Sequence, residues 1–484
     1  MFKERIKSSV IFLLILNIFF LASETWFLSN PSFKDGVISS LRSFPIIRTF
    51  VSEEPPYSFP KENLSQPRKF LINDGSLWMA YYNTDIGFSP IEERSSSIIK
   101  GFLQGDIKKV QVVDNLVWEA ALESLSIYVE YPISFSLQMF CKIMDCDFGL
   151  IKENIGQVQE FVILPSPEEE NVCLLVRDAL NPTSVYAYML DDEYTLPQTD
   201  LMVYTDNGDG YYQPAFSTGL QLGSKSNIKL DPLVLFSDSQ PDTQILAAQN
   251  LIKETSHAKL LNALSFNSTT MNNYQDNNGA IHFIENFASV KIYPDSLIEY
   301  AAVSPERGIV LDQSGDAYSV VNASIDFVEK IWSCVSQEPL NVLVSSDLSD
   351  YKSDTAYTLN FDYYCNGRPV KIALEDKYGH TKMASAIEMT VLGGKLISYR
   401  HYMRSYSPAG INNQPEAFLS ALDSFVHQLE NESNENKTIT DIYIGYLDDG
   451  KNDMLNASWL AADGNGKIYS SAETAVKDDE LDQS

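Results

Sequence analysis

An apolar segment near the N-terminus constrains this chain more than any other feature. Residues 10–22, VIFLLILNIFFLA, follow three basic residues among the first seven. A helix needs about 20 residues, each rising about 1.5 Å, to cross the apolar core of a bilayer. We therefore predict a transmembrane signal anchor over residues 10–28. Trp26 and Phe27 would lie at its outer end, where bulky rings are favoured.

A secretory signal peptide that is cleaved off has the same basic start and short apolar core, and it is the alternative interpretation. Cleavage needs small residues at the first and third positions before the cut. Phe20 or Leu21 would occupy one of those positions for cuts after Ala22 or Ser23, which favours an uncleaved anchor. The basic flank predicts a single-pass protein of the cell membrane, with its N-terminus in the cytoplasm and about 455 residues outside.

The overall charge limits the class of partner. The chain has 65 acidic and 35 basic residues, a net charge of −30. A surface that is this acidic argues against binding to nucleic acid, which needs basic residues. Apolar residues make up 44% of the chain and aromatic residues 12%, which is enough to build folded cores outside the membrane.

The cysteines do not form a recognisable framework. Their number is odd and their spacing irregular, unlike a disulfide scaffold or a zinc knuckle: Cys141, Cys146, Cys173, Cys334 and Cys365. We expect burial as small apolar side chains, with a bridge between Cys141 and Cys146 as the alternative. An exported domain that does not depend on disulfides suggests the surface of a Gram-positive bacterium or an anaerobic organism.

Composition and hydrophobic periodicity divide the chain into seven parts and predict the α+β class. These parts are a cytoplasmic end (1–9), the anchor (10–28), a proline-rich stem (29–66), an N-terminal ectodomain (67–260), a central α+β domain (261–365), a C-terminal α+β domain (366–472) and an acidic tail (473–484).

Within the N-terminal ectodomain, residues 69–83 predict two strands around an Asp-Gly turn at Asp74 and Gly75. Further predicted elements are helices at 90–102, 113–122 and 243–253, a strand at 127–131 that ends at Pro132, a short helix capped by Ser134 or Ser136, and strands at 160–164, 172–176, 184–189 and 201–204.

The second half of the chain predicts a duplicated module. A hairpin at 288–303, a helix with apolar residues at 321, 325, 328 and 332, and a strand at 340–344 come first. About 100 residues later the same order recurs, with a hairpin at 387–399, a helix starting at Pro415 and a strand at 440–446. The apolar residues of the second helix, at 418, 422, 425 and 429, follow the same spacing.

The most site-like string, TDNGDG at residues 205–210, resembles part of a calcium-binding loop. In such a loop Asn207, Asp209 and Gly210 would fit positions three, five and six, but Thr205 and Phe216 would replace the strongest carboxylates. A tight turn between two strands explains the same residues. The sequence therefore favours a turn, and it predicts another at residues 463–466.

Catalytic and metal-binding motifs are missing from the sequence. It has no Gly-x-Ser-x-Gly elbow, no His-Glu-x-x-His and no P-loop. The histidines are scattered, and none has a partner at metal-ligand spacing: His257, His282, His380, His401 and His427. We therefore predict no catalytic residues, no metal and no cofactor.

Asn17 is the one polar residue in the centre of the predicted anchor. An amide in a bilayer lacks water and hydrogen-bonds to another helix, or it is simply tolerated. On a helix it shares one face with Val10, Leu13, Leu14, Phe20, Leu21 and Glu24. We predict that this stripe of seven residues contacts a partner helix in the membrane.

Several phrases of the sequence together resemble the YycH family of membrane-anchored extracytoplasmic regulators. They are LWMAYY at 77–82, EYPISF at 130–135, IENFAS at 284–289, IGY at 444–446 and SW at 458–459. The layout of a short cytoplasmic end, one span and a large outer part is similar as well.

The resemblance implies a three-domain outer part whose last two domains share a topology, and no enzymatic activity. It also implies that the anchor packs beside the transmembrane helices of a WalK (YycG) type sensor histidine kinase, together with a YycI-like sister protein, and modulates signalling on cell-wall homeostasis. Two other classes stay open: an anchored module that binds a wall fragment, peptide or ion, and a surface hydrolase. The sequence does not determine whether the kinase is activated or inhibited.

Overall fold

A seven-stranded antiparallel sheet and a larger mixed sheet form the framework of the protein in a computed structural model. The structure describes residues 64–472, except 65, 83–84, 86, 148–154, 166–170, 207–211, 219–221, 223–227, 238–241, 268–270, 314–315, 347, 349–350, 376–380 and 433–436. These residues belong to one compact unit, Phe59–Ser484.

The seven-stranded sheet is built by the first part of the described chain. Its strands are β1 (Lys69–Asn73), β2 (Trp78–Tyr82), β3 (Ile107–Val113), β4 (Ser126–Ser136), β5 (Gln157–Leu164), β6 (Cys173–Arg177) and β7 (Val185–Leu190). Their order across the sheet is β2-β1-β4-β5-β6-β7-β3. Three helices belong to this part: α1 (Phe88–Gln104), α2 (Asn115–Leu122) and α3 (Leu137–Ile143).

The predicted first hairpin is confirmed. Strands β1 and β2 pair in antiparallel register from Lys69–Tyr82 to Asn73–Trp78. The Asp74 carboxylate accepts the backbone N–H groups of Ser76 and Leu77. Gly75 has a φ of 93°, a conformation that glycine adopts without strain. The turn chemistry in the sequence therefore sets the register of the sheet.

The predicted helices of this part are confirmed, and Ser136 caps α3 by accepting the N–H of Met139. The predicted end of a strand at Pro132 is wrong, because β4 continues to Ser136. Pairing of β4 with β5 is irregular between Glu130 and Phe135. The missing N–H of Pro132 therefore falls where the ladder is already interrupted, which a strand tolerates.

Two other predicted elements have the wrong type. Residues 201–204 belong to a helix, α4 (Gln198–Asp206), instead of a strand. Residues 243–250 form β11 (Thr243–Asn250) instead of a helix, and the helix α6 (Glu254–Ala263) follows it. Strand β11 pairs with β23 (Arg404–Asn413) on one side and with β25 (Met454–Leu455) on the other. These pairings with distant segments override local preference.

Between α4 and β11 lie β8 (Tyr212–Pro214), α5 (Ala215–Thr218), β9 (Ile228–Leu230) and β10 (Leu235–Ser237). The larger sheet takes most of the remaining strands: β12 (Asn272–Gln275), β13 (Ile281–Ile284), β14 (Ala288–Ile292), β15 (Leu297–Ala302), β16 (Ile309–Val310), β17 (Val342–Val344), β18 (Tyr357–Cys365), β19 (Arg368–Glu375), β20 (Thr381–Ala384), β21 (Ile387–Leu392), β22 (Lys395–Tyr402), β24 (Lys437–Asp448), β26 (Ala457–Asp463) and β27 (Ile468–Ser470).

The predicted order of hairpin, helix and strand occurs at both positions. Hairpin β14–β15 is followed by α7 (Ala317–Trp332) and β17, and hairpin β21–β22 by α8 (Phe418–Glu432) and β24. Helix α8 begins three residues after Pro415. All eight apolar residues that defined the two helical patterns are buried. Strands β15 and β22, the second strands of the two hairpins, pair in antiparallel orientation.

The fold is therefore mixed α+β, and the predicted turn at 463–466 joins β26 to β27. The domain boundaries at residues 260 and 365 remain a prediction. The predicted anchor and the acidic tail lie outside the described residues. Within the described part, no helix is both long enough and apolar enough to cross a membrane.

Candidate functional site

A polar cavity of about 1300 Å³ lies between the seven-stranded sheet and the larger sheet, and we call it the inter-sheet cleft. The seven-stranded sheet contributes Lys69, Tyr82, Tyr128, Glu130 and Glu160, and the larger sheet contributes Asp362, Tyr364, Lys371, Asp441 and Tyr443. Arg68, directly before β1, lines the cleft as well.

Sheet register places the charges of the seven-stranded sheet in one row across neighbouring strands. Lys69 of β1 lies opposite Tyr82 of β2 on one side and opposite Glu130 of β4 on the other. Glu130 in turn lies opposite Glu160 of β5. Two carboxylates directly opposite each other repel, so this row needs cations and donors around it.

The surrounding side chains supply those cations and donors. Glu130 pairs with Arg68 and with Lys69, whose Nζ lies 3.0 Å from Oε2. Arg177 Nε donates to Glu160 Oε2 at 2.8 Å. The Tyr128 hydroxyl lies 2.8 Å from Glu160 and 3.2 Å from Glu130, close enough to donate to either. Burial, followed by these carboxylates, raises the pKa of Tyr128, so the hydroxyl keeps its proton.

Two ion pairs to Asp441 cross the cleft between the two sheets. Arg68 Nη1 lies 2.7 Å from Asp441 Oδ2, and Lys69 Nζ lies 3.9 Å from Oδ1. Burial alone would raise the pKa of Asp441, but the charges of Arg68 and Lys69 outweigh it and hold that pKa below its ordinary value. Asp441 is therefore a carboxylate at neutral pH and joins β24 to the start of β1.

A second pair lies on the larger sheet. Lys371 of β19 donates to Asp362 Oδ2 of β18. Burial would lower the pKa of Lys371, but the charge of Asp362 raises it above its ordinary value. The side chain of Asp362 is only 6% exposed, and its second oxygen, Oδ1, has no hydrogen-bond partner among the described residues. On the opposite wall, Arg68 Nε also lacks such a partner.

The cleft thus combines fixed charges, aromatic walls and unused hydrogen-bonding groups. Tyr82, Tyr364, Tyr443 and Trp459 line it, and burial raises the pKa of Tyr443 to about 12. Its lining contains seven carboxylates and four basic side chains, so it carries an excess of negative charge. Convergent polar groups and aromatic ring faces are the features by which proteins hold small ligands.

The seven residues of the predicted membrane stripe (Val10, Leu13, Leu14, Asn17, Phe20, Leu21 and Glu24) lie outside the described residues, and the stripe remains a prediction.

The structure describes only the first part of the string TDNGDG. Thr205 lies in α4, where its hydroxyl is 3.0 Å from Asp74 Oδ2, whereas residues 207–210 lie outside the described residues. No group of metal-ligating side chains occurs in the described part, and all five cysteines are free thiols.

His401 forms a network that the sequence did not indicate. The Tyr363 hydroxyl donates to the carbonyl of Tyr402 at 2.7 Å, so at its 2.7 Å contact with His401 Nε2 it accepts. Tyr399 then donates to His401 Nδ1 at 2.6 Å. Burial lowers the pKa of His401 to about 3. The ring is therefore neutral, with its proton on Nε2, and it serves as a structural core group.

Sequence reasoning missed the inter-sheet cleft. A signal was present in the strands, since Lys69, Glu130, Asp362 and Asp441 are charged residues that are each adjacent to an apolar or aromatic residue. A charged residue on a half-buried strand indicates a position that either contacts solvent or forms an ion pair. Only the tertiary arrangement shows that these positions converge.

The comparisons with known proteins bear on the fold. No family model and no curated protein matches the sequence. The crystal structure of YycH from Bacillus subtilis superimposes with a TM-score of 0.57 and covers 86% of this chain and 98% of that chain. The chain has a YycH-like fold. Sequence identity is 12%, so the common fold is established independently of sequence similarity. The predicted resemblance to the YycH family is thereby confirmed at the level of the fold, and the division of the outer part into three domains remains a prediction.

Proposed function

We propose that this protein is a membrane-anchored extracytoplasmic regulator of a sensor histidine kinase of the WalK (YycG) type. The YycH-like fold over 86% of the chain is the observation that carries the proposal. The predicted anchor, the phrases shared with the YycH family and the acidic outer part agree with it. In this proposal the protein is not an enzyme, and its described residues lie on the outer side of the cell membrane of a Gram-positive bacterium.

The mechanism follows from population shift. A regulator changes the activity of a two-state kinase only if it binds one signalling state more tightly than the other. We assign this differential contact to the anchor stripe around Asn17, packed beside the kinase helices together with a YycI-like sister protein. The Asn17 amide would hydrogen-bond to a neighbouring helix, since the bilayer core offers no water.

The first test is a membrane pull-down with the full-length protein and with a variant whose residues 10–28 are replaced by an unrelated span. We expect the native protein to bring down a sensor histidine kinase and the replaced variant to lose it. Kinase phosphorylation in the same membranes then shows the direction of regulation. If neither protein brings down a kinase, the proposal is wrong.

A second test maps the helix face with matched variants. Replacing Leu13, Asn17 and Phe20 with Ala removes the predicted contact face, whereas replacing Phe12, Ile15 and Phe19 with Ala changes the opposite face. We expect only the first triple variant to lose the kinase, with both still inserted in the membrane. Equal binding by both variants would contradict the assignment of this face.

A further inference from the structure

The inter-sheet cleft has the properties of a ligand site. Its volume of about 1300 Å³ exceeds the roughly 300–1,000 Å³ of ordinary small-molecule pockets. Both sheets contribute charged side chains to it, and its walls carry aromatic rings, among them those of Tyr82, Tyr364, Tyr443 and Trp459. A cleft of this size accommodates a ligand of several residues more readily than a single metabolite.

Asp362 identifies the kind of group that the cleft lacks. Its side chain is 94% buried, one oxygen accepts from Lys371, and the other has no partner among the described residues of the cleft that it lines. Leaving a buried carboxylate oxygen without a donor is unfavourable, and charged donors form the strongest hydrogen bonds to it. The complementary group on a ligand is therefore a hydrogen-bond donor, and an ammonium forms the strongest such bond.

The charges around Asp362 favour the same ligand. Seven carboxylates against four basic side chains give the lining a negative excess, which attracts cations. Aromatic faces such as those of Tyr364 and Tyr443 add a further attraction for an ammonium. On the opposite wall, the Nε–H of Arg68, which no described residue accepts, offers a donor for a carbonyl oxygen. Ammonium and carbonyl groups occur together in a peptide.

We propose that the inter-sheet cleft binds a short peptide with free amino groups, with an ammonium on Asp362 and a backbone carbonyl near Arg68. This binding does not rest on the kinase partnership. Arg68 directly precedes β1, so a bound peptide would contact the first residues after the predicted stem. In a regulator, a contact at that position would couple peptide binding in the cleft to the segment that leads to the predicted anchor.

The test is isothermal titration of the full-length protein in detergent with trilysine as the probe. We expect saturable binding of one peptide per chain, and no comparable binding of trilysine with its four amino groups acetylated. The variant D362N should bind trilysine about tenfold more weakly or worse. The matched control D326N, which changes an exposed carboxylate on α7 outside the cleft, should bind as the native protein does.

A second variant guards against an effect of D362N on folding. Ser345 is exposed and lines the cleft, so S345W should fill the cleft from its surface without changing an ion pair. Loss of trilysine binding in S345W supports the site. Binding by D362N and S345W equal to that of the native protein, no saturable binding at all, or equal binding of acetylated trilysine or a neutral chitin trisaccharide would each overturn the proposal. None of these results depends on kinase capture.

Discussion

Two regions of the molecule bury charge in different ways. Arg404 and Asp448 are enclosed, with side chains 1% and 0% exposed and Arg404 Nε lying 3.1 Å from Asp448 Oδ2. The Tyr406 hydroxyl and the Gly450 N–H donate to the two oxygens of Asp448. In the inter-sheet cleft, by contrast, Asp362 has one oxygen satisfied and one without a partner among the described residues, with a cavity beside it.

The difference separates structural charge from charge that is available for recognition. Around Asp448 the protein supplies a donor for each carboxylate oxygen, and the groups left over, Nε and Nη1 of Arg404, do not line the cleft. Around Asp362 the described residues supply only part of the partners, and the cleft holds space for the rest. Both regions leave some buried polar atoms without a hydrogen-bond partner among the described residues, but only in the second is the unpartnered group a carboxylate oxygen of a residue that lines the cleft. Substitutions in the two regions should therefore differ in what they change.

The largest effect is expected at the enclosed pair. The variant R404M leaves the Asp448 carboxylate buried without its cation, which destabilises a protein by about 3–5 kcal/mol. Urea unfolding followed by circular dichroism measures it. The control R307M changes an exposed arginine and should alter the free energy of unfolding by less than about 0.5 kcal/mol. A similar small change in R404M would show that the enclosed pair is dispensable.

The second-largest effect is the pH dependence of stability that the buried His401 produces. His401 has a pKa of about 3 in the folded protein, below its ordinary value near 6.5. The unfolded chain therefore takes up a proton below pH 6.5 that the folded protein does not bind. The His401 contribution to stability is complete above pH 6.5 and is lost as the pH falls toward 3.

This proton uptake makes the free energy of unfolding depend measurably on pH. From pH 7.5 to pH 5 the native protein should lose about 2 kcal/mol more stability than the variant H401Q, whose side chain does not titrate. Urea unfolding at several pH values gives the comparison, and H427Q, on the exposed face of α8, serves as the control and should follow the native protein. Parallel pH profiles of H401Q and native protein would contradict a neutral, enclosed His401.

Local chemistry explains which parts of the fold were predictable from the sequence. The Asp74–Gly75 turn, the cap at Ser136 and the apolar stripe of α7 depend on residues close in the chain, and each is confirmed. Strand β11 was misread as a helix because its partners, β23 and β25, lie more than 150 residues away. Pairing with such distant segments cannot be recognised from the few residues of the strand itself.

The candidate site was less predictable than the fold for the same reason. Arg68 and Asp441 are separated by more than 370 residues but form one ion pair, and Glu130 and Glu160 meet only through sheet register. A single sequence shows that these positions are charged, not that they face one cavity. The enclosed Arg404–Asp448 pair could not be predicted for the same reason, because only the folded arrangement of β23 and β24 brings the two residues together.

The smallest effect is expected where the cleft charges share partners. The variant D441N removes the carboxylate that crosses the cleft, but Arg68 keeps its pair with Glu130 and the site reaches water. We expect a loss of about 1 kcal/mol at pH 7. Because the pKa of Asp441 is lowered, its contribution is present at neutral pH and lost as the pH falls below the ordinary range of a carboxyl group.

Urea unfolding of D441N and native protein at pH 7 and at pH 3 measures this contribution, with D326N as a control that should match the native protein at both. The difference between D441N and native protein should shrink at the lower pH. A loss at pH 7 as large as that of R404M would mean that Asp441 is enclosed like Asp448, and the distinction between the two regions would fail. A small loss would mean that an ion pair of the cleft can be broken with little effect on stability. A ligand site requires this, because a bound ligand replaces some of the ion pairs within the protein.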